Sequence, residues 1–115
     1  MSLCIALFSA CVFVNPLANA VPVDQKQVLK EAESGANWLV HGRTFDEQRH
    51  NPLKQINRKT VGKLGLDWFT DVASLDGTSA TPLVIDGVIY FSGNFSQVWA
   101  YDARTGKQIW HYAQV

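Results

Sequence analysis

The runs Ala80-Thr81-Pro82-Leu83-Val84-Ile85-Asp86-Gly87-Val88-Ile89-Tyr90-Phe91 and Ala100-Tyr101-Asp102-Ala103-Arg104-Thr105-Gly106-Lys107-Gln108-Ile109-Trp110 constrain the fold more than anything else in this chain. Short apolar segments alternate with tight turns. Leu83-Val84-Ile85 and Val88-Ile89-Tyr90-Phe91 flank Asp86-Gly87, a two-residue hairpin turn of the type I′ kind. Gly93-Asn94 turns the chain again, and Gln97-Val98-Trp99-Ala100-Tyr101 reads as a third strand. Asp102 to Gly106 forms the next turn, with Gly106 supplying positive φ. Lys107-Gln108-Ile109-Trp110-His111-Tyr112 is the fourth strand. Val88 to Phe91 is apolar on both faces, and Val98 to Tyr101 carries only small, aliphatic or aromatic side chains. A sheet apolar on both faces must be sandwiched between other layers.

A β-propeller supplies that sandwich, because each blade lies between two neighbours. The expected fold class is therefore all-β: a four-stranded antiparallel meander forming one propeller blade, preceded by a short helical N-terminal extension. A blade takes roughly 40–50 residues, so a chain of 115 residues is expected to be a fragment of a larger ring. Blade faces without neighbours expose apolar sheet, and the fragment is expected to self-associate.

Upstream, Met1 to Ala20 contain no charged residue, and an apolar run from Leu3 to Val14 precedes Ala18-Asn19-Ala20. This is the length and cleavage pattern of a signal peptide, without the usual preceding positive charge. A buried N-terminal strand or helix is the other reading, and Ser9-Ala10-Cys11 faintly resembles a lipoprotein site. Cys4 and Cys11 both lie in this leader, so the mature chain is expected to use no disulfide and no thiolate metal site. Ten basic residues balance ten acidic ones, which argues against nucleic acid or an anionic membrane surface as partner.

The expected organisation is a signal peptide over residues 1–20, an N-terminal extension over 21–64, and a closing strand plus first blade over 65–115. Asp24 is placed to cap a helix running to about Ser34 and ending at Gly35, with Gln27 in the capping-box position and Val28, Leu29 and Ala32 as its apolar stripe. Asn37-Trp38-Leu39-Val40-His41-Gly42 is too short to assign as strand or helix from periodicity. The polar stretch from Arg43 to Leu53 reads as an extended loop. Asn57 is expected to cap a helical turn over Arg58 to Leu64, with Val61 and Leu64 facing inward. Leu66-Asp67-Trp68-Phe69-Thr70 reads as a strand and Ser74 to Thr78 as a turn.

In order along the chain, Trp38-x-x-x-Gly42, Gln48-Arg49-His50-Asn51-Pro52-Leu53, Gln55-Ile56-Asn57, Val61-x-x-Leu64, Trp68 and Ala80-Thr81-Pro82-Leu83-Val84-x-Asp86-Gly87-Val88-x-Tyr90 resemble the N-terminal region of pyrroloquinoline-quinone-dependent alcohol dehydrogenases. Ala100-x-Asp102-x-x-Thr105-Gly106-Lys107-x-x-Trp110 is similar to that family's repeated tryptophan-docking motif. The motif has a physical reading. Ala100 lets a neighbouring indole approach, Asp102 bonds backbone N–H groups two residues on, Gly106 permits the turn, and Trp110 offers a flat apolar surface to the next blade.

The resemblance implies a periplasmic eight-bladed propeller with pyrroloquinoline quinone (PQQ) and calcium on its axis. It implies a metal Lewis acid, an Asp general base, an alcohol substrate and a cytochrome c as electron acceptor. The family's metal ligands, catalytic Asp and adjacent-cysteine disulfide fall beyond Val115, so this fragment alone is expected neither to bind the quinone tightly nor to turn over. One cofactor-facing position carries over. Many family members have Glu just before Ala-Thr-Pro, where this chain has Ser79, a hydroxyl that can hydrogen-bond but brings no charge. Ser79 as a plain turn residue is the competing reading.

Other constellations have bland explanations. His41, His50 and His111 match no ligand spacing and read as solvated or loop residues. Asp67, Asp71 and Asp76 could form an acid–base group, but Asp71 and Asp76 sit at a strand end and a turn, where Asp is ordinary. Trp68, Trp99, Tyr101 and Trp110 could stack on a flat cofactor, but aromatic strand residues more often build core. Asn94-Phe95-Ser96 matches a glycosylation acceptor only weakly. A non-enzymatic envelope propeller scaffold of the outer-membrane assembly type is the alternative function, and a small self-associating β protein is a third.

Overall fold

The computed structural model describes residues 23–74 and 77–114. The expected leader with Cys4 and Cys11 lies outside the described residues, as do Leu75, Asp76 and Val115.

Helix α1 spans Gln25–Ser34. Asp24 caps it as expected, its Oδ1 accepting from the Gln27 backbone N–H at 2.8 Å. The reciprocal half of the capping box is absent, since Gln27 Oε1 is buried with no hydrogen-bond partner. Gly35 ends the helix at φ 68°, donating to Glu31 O at 3.0 Å. A side chain there would strike Asn51 and Pro52 as well as strain the backbone. The apolar stripe is narrower than expected: Val28 is buried, Ala32 half-buried and Leu29 exposed.

Arg43 closes the C-terminal end of α1. Its guanidinium is buried, and Nη2 donates to the carbonyls of Glu31 (3.1 Å) and Ala32 (2.8 Å) while Nη1 donates to His50 O. A cation at these carbonyls complements the negative end of the helix dipole.

The sheet runs β1 (Leu83–Ile85), β2 (Val88–Ser92), β3 (Val98–Asp102) and β4 (Gln108–Tyr112), paired antiparallel in chain order. This is the expected meander. The first hairpin pairs Ile85 with Val88 across Asp86-Gly87, whose φ values of 49° and 79° are those of a type I′ turn. A register shift between Ala100 and Tyr101 bulges the β3–β4 ladder.

The core lies on β3, where Trp99, Ala100 and Tyr101 are buried. Phe91, Trp99 and His111 stand directly opposite one another on three strands. Their rings stack at centroid distances of 5.4 and 4.8 Å. His111 sits on the fourth strand, exposed, as the sequence places it. β4 is exposed along its whole length.

The N-terminal extension is stitched onto the sheet at β1. Trp38 and Val84 exchange two backbone hydrogen bonds, at 2.8 and 3.0 Å, so the segment unassigned by periodicity adds an antiparallel bridge. Beside it, the buried Asn37 accepts from the Asp86 backbone N–H at 2.9 Å and donates to Asp86 Oδ1 at 3.4 Å. The same side-chain amide donates to Glu31 Oε1 at 3.3 Å. One residue thus joins the helix to the hairpin tip.

Two expectations fail. Residues 66–70 carry no ladder, and Leu66 and Phe69 are 80% and 75% exposed. A strand exists only with a partner, and no described strand lies beside this one. Asn57 caps a helical turn as expected: its carbonyl accepts from Thr60 N and Val61 N, and its Oδ1 accepts from Lys59 N at 2.9 Å. The turn runs on into a short 3-10 helix over Val61–Lys63, but its inner face is not the expected one. Val61 and Leu64 are exposed, not inward.

Asn37→Ala should cost about 2 kcal/mol, because it leaves polar groups on Asp86 and Glu31 without their partner. Denaturant unfolding should show that loss, and hydrogen exchange should quicken first at the Trp38 and Val84 amides. Unchanged exchange at both would show that the bridge does not depend on this side chain.

Candidate functional site

The turn after β3 is built by one carboxylate. Asp102 Oδ1 accepts from Arg104 N (3.0 Å), Thr105 N (2.8 Å) and Thr105 Oγ1 (2.8 Å). The Thr105 hydroxyl, then the two backbone N–H groups and the nearby Arg104 charge, hold the Asp102 carboxyl below its ordinary pKa. Gly106 follows at φ 69° and donates to Asp102 O, while Asp102 N donates to Lys107 O.

Trp68 docks on this turn. A Cβ placed on Gly106 would come within 2.4 Å of the Trp68 ring, so the indole lies flat against the glycine. Its Nε1–H donates to Ala103 O at 3.1 Å. Gly106 therefore has two functions, the left-handed turn and the close approach of an indole. The expected small residue, Ala100, is fully buried within β3. Trp110 is 43% exposed and tilts against Tyr90 at 6.0 Å. Trp99 and Tyr101 are core, while Trp68 and Trp110 sit at or near the surface. The docking role of Trp68 has a sequence signal: Gly65-x-x-Trp68 is spaced much like Gly106-x-x-x-Trp110.

Ser79 lies at the opposite end of the sheet from that dock. It is exposed, in the segment leading into β1. Antiparallel pairing places this segment beside the β2–β3 loop, and Thr78 Cγ2 is 3.6 Å from where a Gly93 Cβ would sit. Among the described residues, no group of three or more His, Cys, Asp or Glu side chains converges to hold a metal ion. The histidines are dispersed. His41 Nε2 meets Arg49 Nη2 at 2.8 Å, His50 offers its carbonyl to Arg43, and His111 Nε2 meets Gln97 Oε1 at 3.1 Å. Asp67 and Asp71 are exposed.

Gly106→Ala should lower the melting temperature by displacing the Trp68 indole. In a Trp68→Ala background the same change should cost less, and a double-mutant cycle measures the difference. Equal costs in the two backgrounds would mean that Gly106 matters for turn geometry alone. Asp102 sets a second expectation. Its folded pKa lies below the unfolded value, so its contribution is present above the ordinary carboxylate range and is lost as pH falls through the folded pKa. Acid titration of stability should show this component in the native chain and not in Asp102→Asn.

Comparison with known proteins agrees with this architecture. The family described as the β-propeller domain of PQQ-dependent glucose, ethanol and alcohol dehydrogenases matches residues 38–115. Quinohemoprotein alcohol dehydrogenase ADH IIB of Pseudomonas putida is 44% identical over 107 residues, covering 93% of this chain and 16% of its own. The dehydrogenase subunit of the quinone alcohol dehydrogenase of Komagataeibacter europaeus is 40% identical over 111 residues, covering 96% of this chain and 15% of its own. The crystal structure of quinohemoprotein alcohol dehydrogenase from Comamonas testosteroni superposes with a TM-score of 0.74 at 40% identity, over 79% of this chain and 14% of that one. The chain thus spans about a sixth of the length of such relatives. These dehydrogenase relatives do not favour the scaffold alternative. A matched family over most of the chain, a meander in the expected register and an indole docked on the blade turn lead to one conclusion: this chain belongs to the PQQ-dependent alcohol dehydrogenase family.

Proposed function

We propose that this chain forms the N-terminal extension and first blade of a periplasmic quinoprotein that oxidises alcohols and passes the electrons to a cytochrome c. The observation that carries the reading is the docked Trp68: a segment with no strand partner is held against the blade turn as one blade holds the next. Supporting it, one relative is a lupanine 17-hydroxylase whose name specifies cytochrome c. Export would follow cleavage after Ala20, and residues 21–64 and 65–115 would form the extension and the blade.

When bound, PQQ supplies a hydride acceptor. In this reading the exposed Ser79 would help to hold it, its hydroxyl able to donate to a carboxylate or carbonyl of the quinone. Ser79 orients without adding charge, so the balance of charge at the cofactor must come from other parts of the protein. Among the described residues no three carboxylate or histidine side chains converge as a ligand set for calcium. The chain's part in the reaction is therefore structural and orienting: it closes one sector of the ring, presents Ser79 at one end of the sheet, and docks its neighbours at the other.

A chimaera provides the test. This chain would replace the corresponding residues of ADH-IIG of Pseudomonas putida, with which it shares 42% identity. The chimaera, loaded with PQQ and calcium, is expected to reduce an artificial acceptor with primary alcohols, while the 115-residue chain alone does not. A chimaera that folds yet binds no PQQ would overturn the reading.

A further inference from the structure

The β2–β3 loop presents an aromatic ring in an unusual way. Phe95 and Ser96 are consecutive non-glycine residues in the left-handed region, at φ 58° and 57°. Such a conformation in a bulky residue persists only where the surroundings enforce it. Here they do. Gly93 N donates to Gln97 O at 2.9 Å, and Gln97 N donates to Asn94 O at 3.4 Å. The Gln97 amide donates to Asn94 O at 3.3 Å and meets His111 Nε2 on β4 at 3.1 Å. His111 is itself stacked on the buried Trp99. Gly93 packs on the other side, where a Cβ would fall 2.5 Å from the Trp99 ring. The loop is anchored to the core on both flanks, yet Phe95 is 76% exposed. Other apolar side chains of this chain are as exposed, Leu66 and Phe69 among them; what sets Phe95 apart is the strained, anchored loop that holds it.

Its neighbour is the segment that carries Ser79. That segment and this loop lie at the same end of the sheet, with Thr78 next to Gly93. Strands lie about 4.8 Å apart, so the loop centre is about 7 Å from the line of β1. A phenyl side chain spans much of that gap.

We propose that Phe95 is a specificity-determining residue. It forms an apolar wall beside the Ser79 position and contacts the alkyl chain of longer primary alcohols. This rests on the alcohol-oxidising reading above and extends it. Phe95 touches the chain of the substrate, not the reacting carbinol, so its effect should grow with chain length and be small for ethanol.

The test uses the PQQ- and calcium-loaded chimaera with an alcohol series from ethanol to hexanol. Phe95→Ala should lower kcat/KM for hexanol about five- to tenfold and change that for ethanol less than twofold, consistent with loss of a contact worth one or two methylenes. Phe95→Leu should restore most of the hexanol value, which separates an apolar contact from a folding defect. A readout without turnover is calorimetric binding of hexanamide and acetamide, which cannot be oxidised as alcohols. Only hexanamide should weaken in Phe95→Ala. An unchanged alcohol profile in a working enzyme would overturn the proposal. So would a rise confined to the KM for a cytochrome c acceptor, which would mark the loop as a protein-docking point. No turnover and no PQQ binding by the unaltered chimaera would instead remove the reading beneath it.

Discussion

The Trp68 indole, seated on Gly106 and bonded to Ala103 O, joins residues 66–70 to the turn after β3. Residues 66–70 make no ladder, and Leu66 and Phe69 face solvent. What fixes them is a flat ring on a glycine and one N–H donated to Ala103 O. Each component of the turn serves that contact. Asp102 gathers three donors, the left-handed Gly106 clears the surface, and Ala103 N bonds to Gly87 O at 2.8 Å, joining this turn to the first hairpin. An aromatic ring contributes a large apolar area at a low cost in ordering, which suits a joint between layers of a ring-shaped protein.

How much of this was legible depends on the range of the interaction. The hairpin at Asp86-Gly87, the helix from Asp24 to Gly35 and the Asp102 turn are encoded by residues next to one another, and sequence reading places them correctly. The seam of Trp38 with Val84 and of Asn37 with Asp86 joins residues far apart in the chain, and an asparagine carries no mark of its distant partner. Arg43 reads as a loop cation in a polar stretch, yet it is buried at the end of a helix because the chain folds back there. Leu66 to Thr70 shows the reverse error. Its residues favour a strand, but propensity cannot supply the neighbour that a ladder needs.

The site was less legible than the fold. Ser79 was identified by its place before Ala80-Thr81-Pro82, and the structure puts it on an exposed segment at a sheet end. Gly65-x-x-Trp68 marks Trp68 as a ring able to dock, but nothing in the sequence names its partner turn, which lies 35 residues away. Phe95 drew notice only within a weak glycosylation pattern. Its left-handed backbone cannot be read from composition, since phenylalanine rarely adopts it.

The two ends of the sheet divide the work. At one end lie the Asp86-Gly87 and Asp102–Gly106 turns, tied to each other, to Asn37 and to Trp68. Among the described residues, the bonds from Asn37, Trp38 and Trp68 arrive there or at the adjacent Val84. At the other end lie Ser79 and the loop bearing Phe95, where an exposed polar segment adjoins an exposed aromatic. Fastening a blade at one end leaves the other free to carry groups selected for what they touch rather than for what they hold. Ser79, the residue proposed to meet the cofactor, lies at that open end and takes no part in the contacts that fasten the other.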